Sequence, residues 1–266
     1  MNIPIIFHRH KVKQHRDRAS FHIKDHDWLL EQTYSVITDK ITDLNRTMDW
    51  VLDVGGYHGL LKQKILPILP KSTYISTDFS ERLVALSDGL RVVMDEELVC
   101  FSPSSFDLIV SHLCLHWTND LPGSLAQLNH LLKPNGMALL SVFGPATLQE
   151  LRHCIQTTEM EIKNHKVSRT SPLVDVKSLG SLMQRVGFES VVTDSQLFTL
   201  SYPDLNTLIY DLRGIAQTSA MVSDAPSLNK TLWQNIEKHY KSLFLDTDGD
   251  MMVTIEVVTA TGLANV

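Results

Sequence analysis

The stretch Trp50-Val-Leu-Asp-Val-Gly-Gly-Tyr-His-Gly-Leu-Leu61 constrains this chain more than any other. An apolar run ends on an acid, Gly55, Gly56 and Gly59 follow, and the helix formers Leu60 to Lys64 come at once. That order spells a strand, a tight turn and a helix start. The glycines let backbone approach a ligand, and the helix behind them aims its free N–H groups at the same point. Asp53, at the carboxyl end of the strand, is placed to accept from a cationic or hydroxylated group.

Strand and helix patterns then alternate. Thr73 to Thr77 is a β-branched run ending at Asp78, after Pro67 and Pro70 have stopped the preceding helix. Asp78 lies 19 residues beyond Gly59 (78 − 59), the spacing at which a nucleotide-binding βαβ unit offers an acid to ribose hydroxyls. Arg91-Val-Val-Met runs into Asp95, Glu96 and Glu97, and Phe106-Asp-Leu-Ile-Val-Ser111 runs into His112-Leu-Cys-Leu-His116-Trp117. A helix over 121–132, a turn at Lys133-Pro-Asn-Gly136 and a strand over 137–143 follow. Five such units predict a parallel sheet covered on both faces, with Asp53, Asp78, Asp95 and Ser111 together at the carboxyl rim. Upstream, the apolar spacing over 27–44 predicts one amphipathic helix. Downstream, it predicts helices over 147–166, 175–186, 202–216 and 226–244, strands at 191–193 and 197–200, and a closing strand at 253–259.

Acids on that rim suit a ribose and an amine and repel a pyrophosphate, and no Lys-Ser or Lys-Thr follows the glycines as a P-loop requires. A net charge of −6 and a pI near 6.0 argue against nucleic acid or an anionic membrane as partner. Cys100, Cys114 and Cys154 are odd in number and set among apolar residues, so reduced core thiols and a cytoplasmic location are expected. No apolar run is long enough to span a bilayer, and the opening apolar residues are too few for a secretory segment.

The combination resembles the class I S-adenosylmethionine-dependent methyltransferases. Leu115-His-Trp-Thr-Asn-Asp-Leu-Pro122, Phe143-Gly-Pro-Ala-Thr-Leu-Gln-Glu-Leu-Arg152, Ser171-Pro172, Gly187-Phe188 and Asp211-Leu-Arg-Gly214 narrow the resemblance to one branch. That branch holds the malonyl-carrier-protein methyltransferases of biotin synthesis and the methyltransferase-like assembly factor of mitochondrial respiratory complex I. The resemblance implies an α/β, Rossmann-like, doubly wound sheet, mostly parallel with an antiparallel last strand. Its parts would be an N-terminal helical segment (1–44), a cofactor-binding core (45–145), a helical lid (146–186 and 202–245) and strands completing the sheet (187–201 and 246–266).

It also implies the cofactor, with S-adenosylhomocysteine as product. Asp53, Gly55 and Gly59 would cradle the methionine and ribose, and Asp78 would bind the ribose hydroxyls. Asp95 and Glu96 would face adenine, Ser111 to Leu113 would line the floor near the sulfonium, and Gly56, Tyr57 and Phe79 complete the set. Tyr57 replaces the middle glycine usual in this loop, and its ring swings aside, stacks at the pocket edge or blocks the pocket.

On the acceptor side His116 and Trp117 either line the site or pack together, and His112 is a weaker case of the same choice. Arg213 either grips an acceptor carboxylate or phosphate or joins a surface ion pair. The basic stretch His8 to Arg18 is a solvated helical face, or else brings Arg16 and Arg18 over the ligand mouth to meet a carboxylate. His8 and His10 lack a third metal ligand nearby, Asp246 to Asp250 reads as a turn rather than a calcium loop, and His58 is expected to face solvent.

Three functions follow. The first is methylation of malonyl-acyl carrier protein, whose acidic partner would meet Arg152, Lys163, Lys166, Arg169 and Arg213. The second is action on a protein arginine in complex I assembly. The third is a cofactor-free binding module.

Overall fold

The buried strand β1 (Trp50–Val54) shows how the sequence chooses its layers. In the computed structural model, which describes residues 4–44, 46–163, 169–223 and 228–265, Val51 points into one apolar cluster and Leu52 and Val54 into another. Side chains alternate along a strand, so an almost wholly apolar strand requires cover on both sides. The order along the sheet is β3 (Leu90–Val93), β2 (Thr73–Asp78), β1, β4 (Phe106–His112), β5 (Leu132–Phe143), β7 (Met251–Ala264) and β6 (Phe188–Tyr202). Pairing is parallel from β3 through β5, and β7 runs antiparallel to both β5 and β6. This is the expected mostly parallel α/β sheet with an antiparallel last strand.

Helices α1 (Arg9–Ala19), α2 (Ile23–His26), α3 (Trp28–Glu31) and α4 (Ser35–Thr42) precede the sheet. One face of the sheet is covered by α3, α4 and α5 (Leu60–Ile65), together with α8 (Gln149–Lys163), α10 (Leu205–Gly214) and α11 (Lys230–Leu243). The other is covered by α7 (Leu121–Leu131) and α9 (Val176–Arg185). The short α6 (Glu81–Val84) follows β2, and a 3₁₀ turn spans Leu115–Trp117. Side chains at Ser80, Asp120, Asp175, Asp204 and Asn229 cap α6, α7, α9, α10 and α11 by accepting from backbone N–H groups, which fixes where each helix begins.

Four expectations are corrected. The helix over 27–44 is two, because the chain breaks at Thr33, whose hydroxyl bonds the Leu30 carbonyl and His112 Nε2 at 2.8 and 2.9 Å; a side chain that competes for the backbone ends a helix. Lys133 to Gly136 lies within β5 as an irregularity, with Phe106 pairing Leu132 and Leu108 pairing Met137 and Asn135 at φ +60. The two strands at 191–193 and 197–200 are one continuous β6, held along its length by β7. Cys100 is exposed, whereas Cys114 and Cys154 are buried. Asp246 to Asp250 is a turn, with Gly249 at φ +88 and the Asp246 carboxylate accepting from the backbone of Asp248 and Asp250. Lys166 and Pro226 lie outside the described residues, as does the side chain of Lys163. No helix among the described residues is long and apolar enough to cross a membrane.

Candidate functional site: a carboxylate rim and a basic cavity

The turn after β1 needs its glycines. Gly55 sits at φ +72, and a Cβ there would lie 2.1 Å from Cys114 Sγ. A Cβ on Gly56 would meet Asp53 Oδ2 at 2.4 Å, and Gly59, at φ +85, starts α5 against Ser87. The loop can therefore fold down on the Asp53 carboxylate only without side chains. Asp53 is fully buried; its Oδ2 accepts from the Tyr74 hydroxyl at 2.8 Å, and its Oδ1 has no hydrogen-bond partner among the described residues. Burial, with a push from Asp78, lifts its carboxyl to about 7, against the pull of the Tyr74 hydrogen bond.

Asp78 is where the sequence placed it, at the end of β2, but its partner comes from the chain itself. Arg16, 1% exposed, donates from Nη1 to Asp78 Oδ2 at 2.5 Å. It also donates from Nη2 to Cys114 Sγ at 3.1 Å. Its guanidinium lies 4.6 Å over the Tyr57 ring, a charged plane on an aromatic face. Backbone N–H groups of Tyr57 and Ser80 complete the Asp78 carboxylate at 3.2 and 2.8 Å. Burial raises the Asp78 carboxyl to about 6, and the Arg16 charge holds it from rising further.

The next strand end repeats the motif. Arg9 donates to Asp95 at 2.6 Å, lies 3.0 Å from Glu96 and 3.6 Å from Glu97, and stands 4.8 Å over the Phe79 ring. Of the two arginines expected to meet a carboxylate, Arg16 does so and Arg18 does not. Ser111 is turned into the sheet, donating to the Val54 carbonyl at 2.9 Å.

Tyr57, at φ +52 and 3% exposed, neither swings out nor stacks at an edge. Its ring is inside, and its hydroxyl donates to the Leu113 carbonyl at 3.2 Å. Gln217 closes the same spot, donating from Nε2 to Tyr57 Oη at 2.5 Å and to the Leu113 carbonyl at 2.8 Å. Its Oε1 accepts from Trp117 Nε1 at 2.9 Å. An indole nitrogen only donates, so the amide orientation is fixed, and His116 Nε2, also 2.9 Å from that oxygen, must be a donor too. Burial pushes His116 down to about 4, so at neutral pH its other nitrogen, Nδ1, carries a lone pair; that atom is buried and has no partner among the described residues. His116 also packs on Trp117 and Phe143. His112 belongs to the core, bonded to Thr33 and Ser141. His58 is buried rather than solvent-facing, because Asp27 Oδ2 holds it at 2.9 Å.

Beyond the Tyr57–Gln217 wall lies a cavity of about 1450 Å³. His116, Trp117, Phe143, Leu151 and Ile255 line it, with Lys11, Arg18, Arg152, Arg169, Arg213 and Lys230 as cations and Asp204 as the one acid among the described residues of its lining. Asp53, Gly55, Asp78 and Asp95 are not part of that lining. Arg18, expected over a ligand mouth, lines this cavity, whereas Lys11 and Lys230 had no such role in the sequence; the one available signal for Lys11 was the helical spacing of residues 11, 15 and 18.

The sequence motifs explain how the two sides are held. In Leu115 to Pro122, Asn119 Oδ1 accepts from the backbone of Ile6 and Phe7 at 2.8 Å each, Trp117 meets Phe7 edge-on, and the Trp117 carbonyl accepts from Arg9. The motif thus docks the segment that carries α1. In Asp211 to Gly214, Asp211 holds His26 at 2.7 Å, and a Cβ on Gly214 would meet the same ring at 2.1 Å. That contact seats α10 and leaves Arg213 exposed at the cavity.

One prediction concerns Asp53. Its folded pKa of about 7 lies above the value near 3.9 of an unfolded carboxyl, so the folded state holds an extra proton between them and loses stability as pH rises through that window. Asp53→Asn removes the penalty. In urea unfolding at successive pH values the variant is expected to gain on the wild type from about pH 4 to pH 7; a constant difference would contradict the buried protonated carboxyl.

The sequence model of a family described as methyltransferase domain matches residues 29–193. The chain is 32% identical over 241 residues to the mitochondrial arginine-hydroxylase NDUFAF5 of Mus musculus, covering 87% of this chain and 68% of that protein. It is 26% identical over 223 residues to the malonyl-[acyl-carrier protein] O-methyltransferase of Gallionella capsiferriformans, covering 78% and 74%. Among solved structures, phosphoethanolamine N-methyltransferase 2 of Haemonchus contortus, in complex with S-adenosyl-L-methionine, superposes with a TM-score of 0.59 at 16% identity, over 96% of this chain and 60% of that one. With a rim of carboxylates over a glycine turn and a match that spans most of the sheet, the chain belongs to the methyltransferase-domain family, in the branch that holds its arginine-hydroxylase and malonyl-carrier relatives.

Proposed function

We propose that this chain is an S-adenosylmethionine-dependent methyltransferase acting on an anionic acceptor, with the malonyl group of an acyl carrier protein in biotin synthesis as the favoured substrate and the cytoplasm as its location. The observation that carries this reading is the charge of the acceptor-side cavity, whose described lining holds six cations, Arg169 among them paired with Glu159, against Asp204, next to a rim of carboxylates. The rim chemistry fits the cofactor: Asp78 is a fully buried carboxylate at a strand end, Asp53 Oδ1 is an acceptor without a donor, and the Gly55 turn has no room for a side chain. When bound, the cofactor supplies an electrophilic methyl group on a sulfonium.

The chain's own work is alignment and exclusion of water. Asp78 would hold the ribose hydroxyls in place of Arg16, Asp95 and Glu96 would edge the nucleoside with Phe79, and Gly55, Gly56 and Gly59 would leave backbone room for the methionine part. Ser111 to Leu113 would form the floor, with Tyr57 and Gln217 between donor and acceptor. On the far side Arg213 and Arg152 would receive the acceptor charge, His116 and Trp117 would flank it, and α8, α10 and α11 would close over it as the lid. A carboxylate is already ionised at neutral pH, so its methylation needs no general base.

A second reading has one observation in its favour. The Asp78 carboxylate and Tyr57 ring already hold a guanidinium, that of Arg16, which suits a protein arginine of the kind the NDUFAF5 name states for that relative. Rescue of a biotin-requiring bacterial strain supports the first reading, and co-purification with a complex I subunit in its place supports the second. Calorimetry tests the cofactor itself: S-adenosylmethionine is expected to bind in the micromolar range. Asp78→Ala is expected to weaken it by about 10- to 100-fold, the loss of charge-assisted contacts of about 1.5–3 kcal/mol. Tyr57→Gly is expected to bind at least as well as the wild type. A flat titration would leave a cofactor-free binding module, and normal binding by Asp78→Ala would remove the rim as the cofactor site.

A further inference from the structure

Helix α1 has two working stripes. Arg9 and Arg16, seven residues apart, meet the carboxylates of the rim. Lys11, His15 and Arg18, at i, i+4 and i+7, fall on another stripe and line the cavity, since a helix returns to one face at that spacing. Arg213 joins them from α10, turned outward because Asp211 and Gly214 dock on His26.

None of Lys11, Arg18 and Arg213 has an ion pair or side-chain hydrogen bond among the described residues, although Arg9, Lys13 and Arg16 on the same helix are all paired. His15 lies beneath them, 8% exposed. Its Nδ1 lies 3.2 Å from the Thr218 carbonyl and 3.3 Å from the Thr218 hydroxyl. Burial first, then the charges of Arg18, Lys11 and Arg213, push the imidazole down to about 4, against the pull of the Thr218 carbonyl. Three like charges around one ring, none of them paired with a carboxylate among the described residues, weaken the fold; such a local conflict marks a place meant for a ligand.

We propose that Lys11, Arg18 and Arg213, with His15 beneath them, form a subsite for one oxyanion of the acceptor, a phosphate ester or a carboxylate. This rests on the reading of the cavity as the acceptor chamber. It names the residues that select an anionic substrate and places two of them on the helix that also guards the rim. The anion supplies the missing counter-charge, and two arginines grip it through planar N–H pairs.

The test uses the full chain without S-adenosylmethionine, so its outcome is separate from that of the cofactor calorimetry. Histidine side chains are isotope-labelled, the His15 signal is assigned with His15→Gln, and inorganic phosphate and malonate are titrated at constant ionic strength. A saturable shift of the His15 signal is expected, with its pKa rising toward the ordinary histidine value as the anion offsets the three cations. In Arg18→Gln/Arg213→Gln, two exposed positions, the affinity is expected to fall about tenfold or more. Saturation by phosphate alone assigns a phosphate ester, by malonate alone a carboxylate, and by both a site that reads charge. If neither anion moves His15, or if the double variant binds as the wild type does, the subsite is refuted.

Discussion

Arg16→Ala is expected to lower the stability of the fold by about 3–5 kcal/mol, because it strands a buried carboxylate. Asp78 is fully buried and its Oδ2 faces the Arg16 guanidinium at 2.5 Å. Removing the cation leaves only the N–H groups of Tyr57 and Ser80 on that carboxylate. Urea unfolding at neutral pH measures the loss, and Arg16→Leu/Asp78→Asn should recover much of it, since replacing both charges removes the desolvation cost along with the attraction. A fall below about 1 kcal/mol would mean that water reaches Asp78. Loss of the Arg16 charge carries an opposite expectation for ligand binding. Arg16 competes with any hydroxylated ligand for Asp78, so the folded Arg16→Gln variant should bind S-adenosylmethionine more tightly than the wild type by calorimetry. Weaker binding would make Arg16 a contact of the cofactor instead of its competitor.

Gly55→Ala is the second large effect. A Cβ at φ +72 costs about 1–2 kcal/mol in backbone strain, and it would stand 2.1 Å from Cys114 Sγ and 2.6 Å from Cys114 Cβ. Overpacking of a buried site adds about 1–3 kcal/mol, so a total loss of about 3 kcal/mol or more is expected by urea unfolding. Cys114→Ala in the same chain should recover little, because its own Cβ is among the clashing atoms. Cys114→Gly should recover the steric part and leave the backbone part. If Gly55→Ala is neutral, the loop does not rest on Cys114 as described.

The strands and the rim were legible from sequence because each rests on a pattern a few residues long. Apolar runs ending in acids gave β1 and β2 with Asp53 and Asp78 at their ends, and the glycines gave the turn. Regions without such a pattern were misjudged. The helix over 27–44 broke where Thr33 reached His112, 79 positions away, and His58 was drawn inward by Asp27. The branch motif around His116 was recognisable, yet its work, docking the N-terminal segment through Asn119 and fixing His116 through Gln217, lay in partners 101 or more positions distant.

The sequence alone determined the layers, the glycine turn and the carboxylates of the rim, since these follow from local periodicity and the conformational freedom of glycine. Only the tertiary structure decided that Arg16 faces Asp78 across 62 positions, that Tyr57 points inward to Gln217, and that Lys11, Arg18 and Arg213 share one wall. A charge in a sequence has no direction. Burial in a particular packing gives it one, because a charge taken out of water has to find its partner wherever the fold has placed it.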